Sequence, residues 1–313
     1  MKILSQVDLS NEEVQRLKSV VSDLDVVVAP GEEQEIKEVV DADIFFGRIP
    51  RSVFIAGKKL KWVQVFGAGV ETQFFSEMTQ SDVILCNTSG AYNQTMADQA
   101  FALILGISRG VAMFERNRPK KIWGRTGMLR QLGGQTLGII GLGNIGSEIA
   151  RRGKAFGMKV IAADVRDMAC PDFVDQLCNL NNLDDVLKNA DYMVLIVPLT
   201  DKTKGMIGAK EFSKMKPTAY FINVARGPLV DESALINALK TGVIAGAGLD
   251  VFAVEPLPQD SELWDMENVV MTPHIGGLSP ETRSVSFEIF FDNFKKFVKG
   301  EPLSCVVDKQ RQF

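Results

Sequence analysis

In Gly138-Ile-Ile-Gly141-Leu-Gly143-Asn-Ile-Gly146-Ser-Glu-Ile-Ala150, a strand-like run over Thr136–Ile140 turns sharply into a segment with helical spacing at Ile145, Ile149, Arg152 and Phe156. Each glycine has a physical use at this spacing. Gly141 allows the tight turn, Gly143 lets backbone approach a pyrophosphate, and Gly146 permits close packing of helix against strand. The helix N-terminus presents N–H groups and a positive dipole end to phosphates. The backbone from Gly141 through Gly143, Asn144, Ile145 and Gly146 is therefore a candidate dinucleotide cradle. A glycine pattern of this kind also occurs in turns that bind nothing; the strand before it and the helix after it favour the nucleotide.

Eighteen residues beyond Gly146, Asp164 ends the strand-like Lys159-Val-Ile-Ala-Ala163. An acidic residue there accepts hydrogen bonds from a ribose 2′-OH and repels a 2′-phosphate, which favours NAD over NADP. Arg166 argues the other way, since it could reach a phosphate.

Outward from the turn, strand-length apolar runs alternate with helical spacing nearly throughout. Upstream strands are expected at Ile3–Leu4, Val26–Val28, Ile44–Phe46, Val63–Phe66 and Val83–Cys86, with amphipathic stretches at Asn11–Val21 and Glu33–Val40. A longer helix follows, with Ala97, Phe101, Ile104, Ser108 and Val111 along one face. Segment 116–134 is polar and basic and reads as a loop or crossing connection. Downstream strands are expected at Lys159–Ala163, Tyr192–Val197, Ala219–Val224, Ala245–Asp250 and Val269–Met271, then a helix over Pro280–Lys299 that Gly300-Glu-Pro302 ends. Strands alternating with helices in this way predict an α/β chain with parallel sheets.

The 313 residues suggest two domains, and 46% hydrophobic with 24% charged residues is a globular composition rather than a disordered one. A net charge of −4 gives no footprint for nucleic acid. The N-terminus lacks a signal-peptide pattern, and the most apolar segment, Met96 to Phe114, contains Asp98 and Arg109, against a membrane span. Cys86, Cys170, Cys178 and Cys305 show no metal spacing and are expected as buried or inert reduced thiols in a cytoplasmic protein. The single histidine rules out a His-rich metal site; no metal is expected. Imidazole chemistry has one address, His274.

Polar residues sit at or just beyond three expected strand ends: Asn223-Val-Ala-Arg226-Gly227, Gly248-Leu-Asp250 with Glu255-Pro256, and Thr272-Pro-His274. Ligands of open α/β sheets bind outside the carboxyl ends of strands, so Arg226, Asp250, Glu255 and His274 are candidates for one site. Singly, each also reads as a surface ion pair, a solvated loop residue or a cap.

With these stretches the chain resembles the D-isomer-specific 2-hydroxyacid dehydrogenase family. The resemblance rests on Gly141-Leu-Gly-Asn-Ile-Gly146, Val197-Pro-Leu-Thr-Asp-Lys-Thr203, Asn223-Val-Ala-Arg-Gly227, Leu249-Asp-Val-Phe252, Glu255-Pro256 and Thr272-Pro-His274. It extends from Lys61-Trp-Val-Gln-Val-Phe-Gly-Ala-Gly69 to Gly300-Glu-Pro-Leu303. It implies two Rossmann/flavodoxin-like domains with helices on both sheet faces and an active-site cleft between them. The substrate domain would be 1–95 plus 284–313 and the NAD domain 96–283. It implies NAD-dependent interconversion of a small 2-keto acid and its D-2-hydroxy acid, with His274 as acid–base catalyst. Glu255 would hydrogen-bond to His274 and keep the imidazolium available, and Arg226 would bind the carboxylate and polarise the carbonyl. Backbone N–H groups of Ala68 and Gly69 would share that carboxylate. Thr95 and Asp250 would lie near the nicotinamide, with Pro198, Thr203 and Ala225 also on the cofactor, and a homodimer would form through the 93–117 region.

Departures from the usual family pattern are Glu71-Thr-Gln73 after the glycine loop, Asn87-Thr-Ser-Gly90, and Val197 before Pro198; they leave the substrate open. Phe66, Tyr92, Met96 and Trp123 are candidate pocket residues. Two alternatives stand beside the keto acid reductase: a phosphoglycerate dehydrogenase, with Arg48 or Arg51 for the phosphate, and an NAD(H)-sensing corepressor-like protein. Glu255 disfavours a formate dehydrogenase, which resembles the family but has Gln there.

Overall fold

A computed structural model of the chain describes residues 1–29, 31–124 and 129–313. Its strands are β1 (Lys2–Ser5), β2 (Asp25–Val28), β3 (Ile44–Phe46), β4 (Trp62–Gln64), β5 (Ile84–Cys86), β6 (Thr136–Ile140), β7 (Lys159–Asp164), β8 (Gln176–Asn179), β9 (Tyr192–Leu195), β10 (Tyr220–Asn223), β11 (Gly246–Leu249) and β12 (Val269–Met271). The chain divides into two compact units, Met1–Tyr92 with Ser279–Phe313, and Asn93–Leu278.

The first unit holds a parallel sheet in the order β2-β1-β3-β4-β5. Successive side chains leave a strand on opposite faces, and here both faces are covered. Ile44, Phe46 and Trp62 meet Phe287, Phe290 and Phe294 of the helix Pro280–Lys299, while Phe45 and Val63 meet Val39, Val53 and Met78. Phe290 stacks on Phe46 with centroids 3.9 Å apart. Full burial of one such ring contributes about 1.5–3 kcal/mol. Ser279 caps the helix by accepting the Thr282 N–H, Pro280 occupies the first turn, and Gly300 ends it with φ +71°. Beyond it the tail returns along β5, where the Val307 N–H donates to the Leu85 carbonyl at 2.8 Å.

The second unit holds a parallel sheet in the order β12-β11-β10-β9-β6-β7-β8. Leu137, Ile139, Val160 and Ala162 face one core; Ile140, Ile161 and Ala163 face the other. β6 lies between β7 and β9, so the chain leaves β6 for one side of the sheet and later crosses to the other. The carboxyl ends of β6 and β9 form the topological switch point, where ligands of such sheets bind.

Four sequence readings change. The helix expected through Val111 is broken: helices Asn93–Ser108 and Val111–Asn117 meet at 61°, around Gly110 with φ +66°. Ala97, Phe101, Ile104 and Ser108 are buried, but Val111 is 56% exposed because the bend turns it off the buried face. β8 was not expected, because its Gln-Leu-Cys-Asn is a short, half-exposed edge strand without an apolar run. Of the four free cysteines Cys86 is buried, whereas Cys170 is exposed. Segment 116–134, read as a loop, begins inside the helix Val111–Asn117, and its residues 125–128 lie outside the described residues. Among the described residues no single helix is long and apolar enough to cross a membrane.

Candidate active site

The glycine turn has the geometry its sequence calls for. Gly141 has φ +102°, which side chains other than hydrogen adopt only with strain, and a methyl group there would press on the backbone carbonyl of Ile196. A methyl at Gly146 would collide with the Gly141 carbonyl oxygen, so the third glycine seats the helix on the turn itself. A methyl at Gly143 would meet nothing within 4 Å. Gly143 is also the N-cap of helix Asn144–Ala155, without a side-chain cap. The open approach at Gly143 and the uncapped helix start fit a pyrophosphate. Asn144 is exposed and Ile145 half-buried at that edge.

Asp164 ends β7 with its side chain only 8% exposed. Its Oδ2 accepts the Leu142 N–H at 2.8 Å, and its Oδ1 accepts both the Arg166 N–H and Nε–H at 2.9 Å. Arg166 Nη2 also donates to Asp164 Oδ2 at 3.1 Å and to the Leu142 carbonyl at 2.8 Å. Burial pushes the Asp164 carboxyl up, but the Arg166 guanidinium and the two N–H donors outweigh it and hold it below the usual carboxylate range. One carboxylate thus fastens the glycine turn to β7 and orients the arginine that the sequence left as counter-evidence.

Arg226, Asp250 and His274 follow three adjacent strands. The register pairs Asn223 with Leu249 and Leu249 with Met271, so the ends of β10, β11 and β12 are level. Asn223 shapes the first loop: its side chain accepts the Ala225 N–H at 3.0 Å and donates to the Arg226 carbonyl at 3.1 Å. Arg226 Nη1 donates to the Ala225 carbonyl at 2.7 Å. Gly227 then passes so close to the next loop that a methyl would fall on the Phe252 carbonyl. That loop carries Glu255, whose Oε1 accepts the Phe252 N–H at 2.9 Å, while Glu232 accepts the Ala253 N–H at 2.9 Å. Glu255 Oε2 lies 2.6 Å from His274 Nδ1. The histidine side chain is 44% exposed and the glutamate 35%, so the pair is open to a ligand.

His274 itself is in the left-handed region, φ +53°, which costs an ordinary residue roughly 1–2 kcal/mol. Asp250 holds it there. The fully buried Asp250 accepts the Thr272 hydroxyl at 2.6 Å, the Ile275 N–H at 3.0 Å and the Gly276 N–H at 2.9 Å, and its carbonyl accepts the His274 N–H at 2.7 Å. Its carboxylate is therefore committed to the histidine turn in this conformation. Glu232 and Gln99, which also reaches this cluster, were not singled out from the sequence, and Thr272 entered only as the start of Thr272-Pro-His274. A polar Gln99 three residues after Met96 and four before Leu103, on an otherwise apolar helix face, was the available signal.

The remaining predicted residues are held locally as follows. Thr95 lies in the first turn of helix Asn93–Ser108. After β9, exposed Pro198 accepts the Thr203 hydroxyl at 2.7 Å, closing a small turn, and Ala225 is buried. In the first unit, Gly67 exchanges hydrogen bonds with Thr88, its N–H to Oγ1 and its carbonyl from the Thr88 N–H, each 3.0 Å. Asn87 donates to the Ala68 carbonyl at 2.9 Å, so the loop that carries Ala68 and Gly69 is tied at its start. Buried Gln73, in the departing Glu71-Thr-Gln73, accepts the Ile49 N–H at 3.2 Å. Arg51 forms a two-pronged pair with Glu77, while the Arg48 guanidinium lies against Gly67. Of the pocket candidates, Phe66 packs edge-on against Phe46, Met96 touches the Gly276 turn, and Trp123 is 95% exposed.

A switch-point sheet with a glycine cradle and an acidic β7 terminus has the form of a dinucleotide-binding α/β protein, and the His–Glu pair adds an acid–base centre. Residues 101–276 match the model for the D-isomer specific 2-hydroxyacid dehydrogenase, NAD binding domain. The chain belongs to the D-isomer specific 2-hydroxyacid dehydrogenase family, and is an oxidoreductase that interconverts a 2-keto acid and a 2-hydroxy acid. It is 39% identical to the glyoxylate reductase of Korarchaeum cryptofilum, over 87% of this chain and 84% of that one. To the D-3-phosphoglycerate dehydrogenase of Methanocaldococcus jannaschii it is 34% identical, over 98% of this chain but 59% of that one. Among solved structures, the D-isomer specific 2-hydroxyacid dehydrogenase from Xanthobacter autotrophicus Py2, in complex with NADPH and MES, superposes with a TM-score of 0.84 at 30% identity, covering 100% and 99% of the two chains.

Proposed function

We propose that this enzyme reduces a short 2-keto acid of the glyoxylate, hydroxypyruvate or pyruvate type to its D-2-hydroxy acid, with His274 as proton donor. The observation that carries the reading is the 2.6 Å contact of His274 with Glu255, at strand ends level with that of Arg226. A carboxylate on Nδ1 fixes the tautomer and orientation of the ring and leaves Nε2 for the substrate's C2 oxygen. Arg226 offers a planar fork suited to the substrate carboxylate and carbonyl. The glyoxylate reductase relative supports the substrate class, and the phosphoglycerate dehydrogenase, matched over only 59% of its own length, supports the alternative less.

A bound nicotinamide nucleotide would supply the hydride. Gly141, Gly143, Asn144, Ile145 and Gly146 would hold its pyrophosphate, with Thr95, Pro198, Thr203, Ala225 and Asp250 along the remainder. NAD is the proposed cofactor over NADP because a carboxylate, Asp164, stands where the 2′-OH is read. The NADPH complex of the Xanthobacter protein and the Arg166 contact argue for some use of NADP. A cytoplasmic homodimer through the 93–117 region is part of the proposal, supported by exposed Val111, Ile122 and Trp123 in and beyond that region.

The test is NADH oxidation with a panel of keto acids, comparing wild type with His274→Ala. The substitution is expected to lower kcat ~10²–10⁴-fold while NADH still binds. Turnover by His274→Ala near that of wild type, or no turnover of any keto acid by wild type, overturns the reading.

A further inference from the structure

Behind the histidine turn lies a side chain that no motif includes. Gln99 projects from helix Asn93–Ser108, which packs on β11 and β12. Its Nε2 donates to Thr272 Oγ1 at 2.6 Å and lies 3.4 Å from Asp250 Oδ1. The direction of this chain is fixed by chemistry. A carboxylate only accepts, so the one hydroxyl proton of Thr272 goes to Asp250, and the Thr272 oxygen is left as an acceptor for the Gln99 amide. The same carboxylate collects the Ile275 and Gly276 N–H groups on either side of its two oxygens.

We propose that Gln99 is a positioning residue for His274, acting through Thr272 and Asp250. Three features converge on this. His274 has φ +53°, a conformation that persists only where its surroundings over-determine it. The over-determination comes from Asp250, which receives donors from residues 272, 275 and 276 and whose carbonyl takes the His274 N–H. Gln99 is the only side chain outside this turn that donates to the Asp250–Thr272 pair among the described residues, and its Cγ stands 3.0 Å from where a Gly276 Cβ would be. The helix therefore grips the turn by hydrogen bond and by packing at once. Without the amide donor, Thr272 keeps its bond to Asp250 but loses the contact that ties the pair to the helix, and the imidazole loses its fixed distance from Glu255. Proton transfer suffers; the glycine cradle proposed for the pyrophosphate, at the β6 end of the sheet, is not touched by Gln99, so nucleotide binding is kept.

This inference rests on His274 being the proton donor, and the experiment separates the two. Gln99→Met, Gln99→Glu, Thr272→Val, the Gln99→Met/Thr272→Val double variant and His274→Ala are compared in the full chain. All rates are normalised to NADH-binding sites titrated by fluorescence, so that any misfolded fraction drops out. Gln99→Met is expected to lower kcat roughly 3- to 10-fold, the range for one hydrogen bond, with a raised solvent deuterium isotope effect on kcat and an unchanged Kd for NADH. Gln99→Glu keeps the volume but sets a second carboxylate against Asp250, and is expected to fall further than Gln99→Met. In the Thr272→Val background, Gln99→Met is expected to add little, since the link is already cut. With His274→Ala inactive, any one of three results overturns the role of Gln99: a wild-type kcat and isotope effect in Gln99→Met, a Gln99→Glu more active than Gln99→Met, or losses that multiply in the double variant. Turnover by His274→Ala instead overturns the reading of His274 beneath it.

Discussion

Gly227→Ala tests how the site is assembled without touching any side chain that does chemistry. Gly227 has no Cβ because the loop after β11 occupies that space: a methyl would fall on the Phe252 carbonyl and come within 2.5 Å of the Ala253 nitrogen. Ordinary contact begins at 3.4 Å, so the two loops must part by about 1 Å or more. Both are backbone, so no rotamer change relieves the clash. Arg226 is on one loop, and on the other the Phe252 N–H holds Glu255 Oε1 at 2.9 Å. The substitution therefore moves the guanidinium away from the His–Glu pair. A misplacement of about 1 Å can cost 10²-fold in rate. Overpacking of this kind costs about 1–3 kcal/mol in stability, a melting shift of roughly 2–4 °C per kcal/mol for a unit of this size. The assay is kcat and KM for the keto acid at saturating NADH, with a thermal melt on the same samples. Gly208→Ala is the control, since its nearest new neighbour is at 3.7 Å. A Gly227→Ala enzyme with kcat within twofold of wild type and an unshifted melt would refute the coupling of Arg226 to Glu255 through this contact.

Two further outcomes are expected. Asp164→Ala removes the carboxylate that holds Arg166, so the ratio of kcat/KM for NADH over NADPH should fall by about tenfold or more, the scale of one hydrogen bond to a charged group; an unchanged ratio shows that another group selects the cofactor. Burial pushes the Cys86 thiol up to about 12, so it stays protonated at pH 8 and should resist a disulfide reagent in the folded protein, whereas exposed Cys170 reacts. Mass mapping of the labelled protein decides this, and early labelling of Cys86 would contradict the packing around β5.

Much of the architecture is written locally. Apolar runs of three to five residues between helical stretches can bury themselves only on both faces of a parallel sheet, and β3, β6 and β12 begin and end where their sequences say. The glycine turn is legible because each of its requirements is a backbone requirement that one residue type meets: φ +102° at Gly141, open approach at Gly143, contact with a carbonyl at Gly146. What stayed hidden has a common cause. β8 forms on the register supplied by β7 rather than by its own apolar content. The break at Gly110 hides inside a run whose hydrophobicity continues past it.

The sequence alone determined that there are two α/β sheets, where the nucleotide turn lies, and that imidazole chemistry could belong only to His274. Those features depend on residue type and on spacing along the chain. Tertiary structure decided what holds His274. Asp250, which the sequence offered only as a candidate ligand contact, is in addition a buried acceptor for the turn, and Gln99, 175 residues before His274, reaches the same cluster. It also decided that Arg166 lies on Asp164 rather than free of it. Hydrogen bonds of this kind join residues far apart in the chain or fix one of many side-chain rotamers, and both are set only when the strands are in register and the helices packed.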